Sequence, residues 1–478
     1  MPIKPYRFKL IFLLGLCALL FLPGCGQKSQ HPGPQDLKFS QEISWPEYSM
    51  QSLELDNGMQ VFLIPHHELP LINLQLQARF GSFQVPQGLE GLEQIWAEAL
   101  QSGGSQAYPR QELSRILEDR AAKLRVKADT QMLQLELSFL KEDLQELLPV
   151  LTDLLRNPLF PEDRIHLAKR KLKGQISRRN DSQSEIASRK FKQLIYGKDS
   201  VYAQVPEYES VDRISRQDLE RLHSEAFQGA NLQLGLVGDF QAQEMRDLLQ
   251  KELGRIKEGQ RTELEFPEVD YEYVSNLNLA PKRDVNQSYI LLGHIGDYRQ
   301  NQDYAALQVL NEVLSGGFSG RLFRNLRSRQ GLAYSVFGRY GCEYYYPGMF
   351  FVGLQTKSSR TAEAIQKAKA ELSQLQEQGV REKELEQAKD RFLNSLVFRY
   401  DNPEKVLSRK MQYAYWGMDL DSFSQLAREV RQVESADVNR VAREYLRPQK
   451  LQVLVVGTRD QVLDQLEELG EVRELELD

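Results

Sequence analysis

Metal-assisted hydrolysis is the first chemistry to test against this sequence, because a helix presents two histidines four positions apart to a single zinc ion. The chain holds six histidines, His31, His66, His67, His166, His223 and His294, and no two of them stand at i and i+4. Its three cysteines, Cys17, Cys25 and Cys342, include no Cys-x-x-Cys pair and cannot build a disulfide framework. Glu93 and Glu98, in Gly88-LEGLEQIWAEALQSGG, could offer carboxylates to another cation, but on an amphipathic run they read as solvated charges of a helix face. His66 and His67 follow Pro65 in a strand-end turn and read as surface residues. The cluster Gly316, Gly317, Phe318, Ser319, Gly320 is not followed by Gly-Lys-Ser/Thr, which excludes a phosphate loop. Cys342, beside Tyr344-Tyr345-Tyr346, is taken as a small buried hydrophobe.

The elements that must position these residues belong to a folded, enveloped protein. With 478 residues, 41% apolar and 27% charged, the chain can bury several cores, and a net charge of −6 without a basic block argues against nucleic acid as a partner. Lys4, Arg7 and Lys9 precede an uncharged run of 13 residues from Leu10 to Leu22. That is the layout of a signal peptide, and it is short of the ~20 residues a helix needs to cross a bilayer. Leu22-Pro23-Gly24-Cys25 resembles a bacterial lipobox, which implies cleavage before Cys25 and attachment to the membrane through lipid on that residue. Residues 1–25 are thus read as a lipoprotein signal peptide and 26–47, with Pro32, Pro34 and Pro46, as a tether. The expected location is the bacterial cell envelope, lipid-anchored and facing the periplasm. Gly26 after the cysteine, by resemblance to enterobacterial sorting, favours the outer over the inner membrane.

The remainder repeats itself once. Helical patterns at Ser215 to Phe227 and Ser435 to Leu446 each lead into a short apolar strand, LQLGLVG and QVLVVG, with Leu232 and Leu451 219 positions apart. Upstream, Phe160-PEDRIHLAKRKL is similar to Val380-REKELEQAKDRF, and Ala168 and Ala388 stand 220 apart. Two anchors at offsets of 219 and 220 predict two tandem homologous domains, 48–256 and 284–478, joined by a charged linker at 257–283. In the first half Leu53 to Ile64, Leu71 to Phe83 and Val126 to Phe139 read as strands. Helices are expected at Leu92 to Gln101, Arg110 to Lys123, Lys141 to Leu155 and Pro161 to Arg178. The absence of regular βαβ alternation predicts α+β domains, each an antiparallel-rich mixed sheet covered by helices.

Leu55-DNGMQVFLIPHHELPLINLQLQARFGS, Asn286-QSYILLGHIG and Asp303-YAALQVLNEVLSGGFSGRLFRNLRSRQGLAYSV resemble the M16 metallopeptidases, which include mitochondrial processing peptidase and pitrilysin. The resemblance runs from about residue 50 to the C-terminus. Active members carry His-x-x-Glu-His on a helix of the first domain and a third ligand, a Glu, further downstream. Aligning Gly91-Leu92 and Gly103-Gly104 with the family places Gln94, Ala97 and Glu98 on the three motif positions, and the third ligand falls near Gln175. An alternative register beginning at Gly88-Leu89 puts Gly91, Gln94 and Ile95 there, and neither register supplies a histidine.

The second half retains what the resemblance requires of it. Active members use an Arg and a Tyr seven residues apart to hold the substrate backbone and to donate to the oxyanion. Arg327 and Tyr334 match that pair. The glycine-rich loop either simply ends a helix or, as implied by processing peptidase, forms a rim that touches substrate. Some M16 enzymes pair a zinc-bearing subunit with one that lacks the motif. The resemblance therefore implies a non-catalytic, substrate-binding subunit with no cofactor of its own. Its partner would be an M16 chain with intact His-x-x-Glu-His and bound zinc, and its substrate a peptide or unfolded polypeptide. A stand-alone peptide-binding or scaffold lipoprotein, or a peptidase active by itself through another metal site, are the alternatives.

Overall fold

The computed structural model describes residues 48–477. The signal-peptide and tether readings, and Cys25 with them, fall outside the described residues. Alternation in the sequence becomes strand in the structure. The first half supplies β1 (Gln51–Glu54), β2 (Gln60–Pro65), β3 (Leu71–Ala78), β4 (Lys123–Ala128), β5 (Leu133–Leu140) and β6 (Leu232–Gly238), in spatial order β1-β2-β6-β3-β5-β4. β3 and β5 bury every second side chain along most of their length and pair antiparallel, with Ile72 opposite Phe139 and Leu74 opposite Leu137. β6 is buried throughout, as a central strand covered on both faces should be.

The second half supplies β7 (Asn276–Pro281), β8 (Gln287–Ile295), β9 (Asp297–Tyr298), β10 (Ser335–Tyr340), β11 (Cys342–Glu343), β12 (Met349–Lys357), β13 (Gln452–Gly457) and β14 (Val472–Glu474). Six of them form the sheet β10-β12-β8-β13-β7-β14, and β9 with β11 makes a short parallel pair. Taken from its opposite edge, this sheet repeats the first. β7 and β13 are parallel as β2 and β6 are, and β13/β8, β8/β12 and β12/β10 are antiparallel like β6/β3, β3/β5 and β5/β4. The outer strands break the symmetry, because β1 joins antiparallel to β2 while β14 joins parallel to β7. The fold is α+β, with two mixed, antiparallel-rich sheets covered by helices.

Three expectations shift in detail. The run expected as one strand from Leu53 to Ile64 folds into the β1–β2 hairpin, because Gly58 takes φ +81° and the buried Asn57 amide donates to the carbonyls of Leu253 and Ile256 at 3.0 and 3.1 Å. The run from Val126 to Phe139 splits into β4 and β5 around Asp129, whose Oδ1 accepts from the amides of Gln131 and Met132 at 2.7 and 2.9 Å. Within the segment read as linker, Asn276–Pro281 is the strand β7, paired on both sides and burying Leu277, Leu279 and Ala280. Its short NLNLAP alternation is hidden in sequence by the charges before and after it.

The halves exchange helices. Gln183–Tyr196 of the first half lies on the second sheet, where Ile186, Ala187, Phe191 and Ile195 join Ala280, Leu291, Leu454 and Val456 in one core. Gln183 Nε2 donates to the carbonyls of Gln287 and Val456 at 2.8 and 2.9 Å. Reciprocally, Pro403–Trp416 of the second half lies on the first sheet, with Leu407 and Met411 against Gly235 of β6 and Glu404 accepting from Asn73 Nδ2 of β3 at 3.0 Å. The two helices begin 220 positions apart, the offset of the Ala168 and Ala388 anchors. The tyrosine run fills the seam between the halves. Tyr344 stacks on Trp416 (5.3 Å between centroids), Tyr345 on Phe266 (4.5 Å) and Tyr346 on Tyr202 (4.4 Å).

Candidate functional site

Arg327 and Tyr334 are set by one turn. Phe323–Arg329 winds as a π-helix, a wide turn that is frequent at functional sites. The chain then reverses at Gly331 (φ +55°), and the carbonyl of buried Leu326 accepts from the amides of Leu332 and Ala333 at 2.9 and 3.4 Å. Leu332 and Ala333 are buried, so the next residue leaves the core, and the amide of Tyr334 donates to the Gln355 carbonyl (2.8 Å) at the start of β10. Tyr334 is 48% exposed and Arg327 is exposed. Among the described residues Arg327 makes no ion pair, and its guanidinium lies 4.9 Å over the ring of Phe323.

Phe323 also joins Arg327 to the glycine-rich loop. Its ring meets that of Phe318 edge to face at 4.9 Å, and Phe318 is 81% exposed. Gly316 ends the helix Tyr304–Ser315. A Cβ there would stand 2.4 Å from the Glu312 carbonyl. Arg391 clamps the base of the loop through Ser319 Oγ (2.8 Å) and the Glu312 carbonyl (2.9 Å), and Gly317, with φ +60°, opens into free space. The loop is therefore a braced turn that presents Phe318. Sequence reasoning missed Phe323, although its place four residues before Arg327 on a helix was the available signal.

The residues that the first of the two registers aligns with the metal ligands of active members lie in the first half. The helix Leu92–Gly103 packs on Glu162–Arg178, close enough that a Cβ on Gly91 would stand 2.8 Å from Leu172 Cδ2. Gln94 is exposed, Ala97 is buried, and Glu98 is half-buried in an ion pair with Lys171 of the neighbouring helix. Gln175, one turn beyond Lys171, is exposed. An amide, a methyl, a carboxylate already held by an ammonium and a second amide do not fit a zinc ion. Among the described residues no three His, Cys, Asp or Glu side chains gather as a metal site would need. No hydrogen bond, ion pair or ring contact among the described residues joins these positions to Arg327 or Tyr334.

Glu93 corrects the reading of both helix acids as solvated charges. It is 4% exposed, burial holds its carboxyl above the usual carboxylate range, and only one oxygen has a partner, Gln94 Nε2 at 3.2 Å. Sequence periodicity places it on the same helix but cannot tell which face is covered by Glu162–Arg178. The histidines stand apart from the candidate sites. His67 is exposed and its Nδ1 pairs with Asp239 at 2.6 Å, while His66 is half-buried. His223 and His294 are buried, and burial pulls both down to about 4. Cys342 is buried and free, with its thiol pushed up to about 12 by burial.

The duplicated α+β fold with exchanged helices, bearing an Arg/Tyr turn in its second half and degenerate metal positions in its first, defines the class. A family model described as insulinase (peptidase family M16) matches residues 63–205, and one described as peptidase M16 inactive domain matches residues 213–392. The chain belongs to the M16 peptidase family, among the members without His-x-x-Glu-His. It is similar to the non-peptidase homolog YmxG of Helicobacter pylori, 26% identical over 379 residues that cover 78% of this chain and 86% of that protein. It is also similar to the uncharacterized zinc protease YmxG of Bacillus subtilis, 25% identical over 299 residues covering 62% and 71%. Two solved structures share the fold. A peptidase M16 inactive domain from Pseudomonas fluorescens has a TM-score of 0.76 at 19% identity, covering 90% of this chain and 100% of that one. The first half of the periplasmic protease PqqL from Escherichia coli has a TM-score of 0.70 at 14% identity, covering 87% and 93%.

Proposed function

We propose that this chain is the non-catalytic, substrate-binding subunit of a membrane-tethered M16 zinc peptidase complex, anchored through lipid on Cys25. In this reading a partner subunit with intact His-x-x-Glu-His holds the zinc, and the two chains together enclose the peptide. Arg327 grips a peptide carbonyl or carboxylate, and Tyr334 donates its phenol proton to the oxyanion that forms in the partner's site. The observation that carries the reading is the contrast within one chain. The metal positions have lost their donors, while Arg327 and Tyr334 stand exposed on either side of the reversal at Gly331, and among the described residues no carboxylate pairs with the arginine. An exposed arginine stacked on Phe323, with Phe318 beside it, is oriented for a ligand rather than for the fold. The name of the Helicobacter pylori relative, a non-peptidase homolog, supports the non-catalytic part of this reading.

The test is recovery of the tagged full-length chain from native membranes in mild detergent, with mass spectrometry of what stays bound. A second M16 chain bearing His-x-x-Glu-His in near-equal amount is expected. Recovery of this chain alone, binding peptides without cleaving them, overturns the split-enzyme reading in favour of a stand-alone peptide-binding lipoprotein.

A further inference from the structure

A cleft of about 760 Å3 opens where the β4–β5 turn of the first half, Asp129 to Met132, faces the second half. Arg299, Arg399 and Arg409 line it, and among the described residues none of the three makes an ion pair. Arg299 lies 4.5 Å over the ring of Tyr304 and hydrogen-bonds its hydroxyl, while its Nε is buried without a partner. Arg409 donates to Gln412 Oε1 at 2.8 Å, and Arg399 lies 5.8 Å over Phe392. The acids in the same wall are engaged. Asp129 accepts from two turn amides, Glu312 pairs with Arg391 at 3.4 Å, and Glu343 with Arg339 at 3.7 Å. Beside the arginines the stacked rings of Tyr344 and Trp416, 6° from parallel, offer a flat apolar wall.

Gathering like charges in a partly enclosed cleft costs free energy; Glu312 offsets part of the charge of Arg399, but among the described residues no carboxylate pairs with any of the three guanidinium groups. A guanidinium is shaped to take a carboxylate through two parallel hydrogen bonds, and the cleft has the size of a ligand pocket. We propose that this cleft binds the carboxylates of an acidic peptide segment, with its apolar side chains against Tyr344 and Trp416, at a site separate from Arg327 and Tyr334. The proposal rests on the peptide-binding reading above and adds a substrate class to it: the chain selects peptides with Glu or Asp where they meet Arg299, Arg399 and Arg409.

The test is fluorescence anisotropy of the full chain with a labelled Glu-rich peptide and with its Gln counterpart, at low and at physiological salt. The Glu peptide is expected to bind at least about 10-fold tighter than the Gln peptide, with the gap narrowing in salt. Arg399→Gln and Arg409→Gln should each weaken the Glu peptide by about 10-fold, the worth of one charge-assisted hydrogen bond, without weakening the Gln peptide. Equal affinity for both peptides, or an unchanged preference in the Arg399→Gln and Arg409→Gln variants, overturns the acidic site while leaving the split-enzyme reading standing. Tighter binding of a single-stranded oligonucleotide than of the Glu peptide overturns it in favour of a different anion. Both Arg variants are partly exposed, and circular dichroism checks that they fold.

Discussion

A Cβ on Gly235 would stand 2.3 Å from Met411 Sδ and 2.8 Å from Leu407 Cδ2, so the central strand of the first sheet and a helix of the second half meet with no room for a methyl group. The contact is one side of the helix exchange that ties the halves together. Gly235→Ala should therefore destabilise the chain by about 1–3 kcal/mol, the cost of overpacking a core. Urea unfolding measures it, and Gly235→Ala combined with Met411→Ala should recover part of the loss. An unchanged midpoint in the single variant would show that the helix Pro403–Trp416 is not seated on β6.

The exchange also shows where sequence stops being informative. Strands and helices were legible because each answers to local periodicity, and the duplication because Leu232/Leu451 and Ala168/Ala388 keep offsets within one residue of each other. Which sheet a helix covers is a tertiary choice. Ile186, Ala187, Phe191 and Ile195 form an apolar stripe that would suit either sheet, and nothing local assigns it to Leu454 and Val456. The site was legible in part for the same reason. Arg327 and Tyr334 were found through the resemblance of LRSRQGLAYSV to the M16 pattern, whereas the convergence of Arg299, Arg399 and Arg409 joins segments about a hundred residues apart and leaves no motif.

Tyr334→Phe keeps the ring and removes only the hydroxyl. If the phenol stabilises the oxyanion in a partner's site, the assembled complex should lose about 10²- to 10³-fold in kcat with little change in KM. Arg327→Ala should chiefly raise KM, since a grip that is equal in the ground and transition states lowers affinity and not turnover. Steady-state kinetics of the reconstituted complex read both, with size-exclusion chromatography to show that assembly is intact. A Tyr334→Phe complex with wild-type kcat would remove the oxyanion role.

The stability of the chain should fall on mild acidification because of two histidines. His223 donates through Nε2 to the Leu155 carbonyl at 2.8 Å, His294 donates through Nδ1 to the Ile295 carbonyl at 2.6 Å, and among the described residues each has its other nitrogen buried without a partner. Burial lowers both to about 4 from the ordinary 6.5. Between these values the unfolded chain binds protons that the native chain does not, so stability declines as pH falls from about 6.5 towards about 4 and these groups add nothing above that window. Each contributes a slope of ~1.4 kcal/mol per pH unit. His223→Gln should remove about half of the histidine-dependent slope in urea titrations between about pH 5 and pH 6. A slope that does not change would place His223 in contact with water.

Cys342 gives a direct check on the seam between the halves. It sits at the head of β11, two residues before the tyrosine whose ring stacks on Trp416, and it is buried in the wall of the arginine cleft. Burial pushes its thiol up to about 12, so at about pH 8 the thiolate that reacts with disulfide reagents is scarce as well as covered. A native chain beginning after Cys25 should show no fast-reacting thiol, and the same chain in denaturant should show one. Tyr345→Ala removes the ring that stacks on Phe266 at 4.5 Å and the hydroxyl that donates to the Tyr415 carbonyl at 3.1 Å. If the aromatic seam is what keeps Cys342 from solvent, that variant should speed native labelling by at least about 10-fold, because loss of a buried aromatic costs about 3–5 kcal/mol and local opening draws on the same free energy. Labelling at the wild-type rate would mean that Cys342 is shielded by the strand pair alone and that the halves are held together elsewhere, by the two exchanged helices.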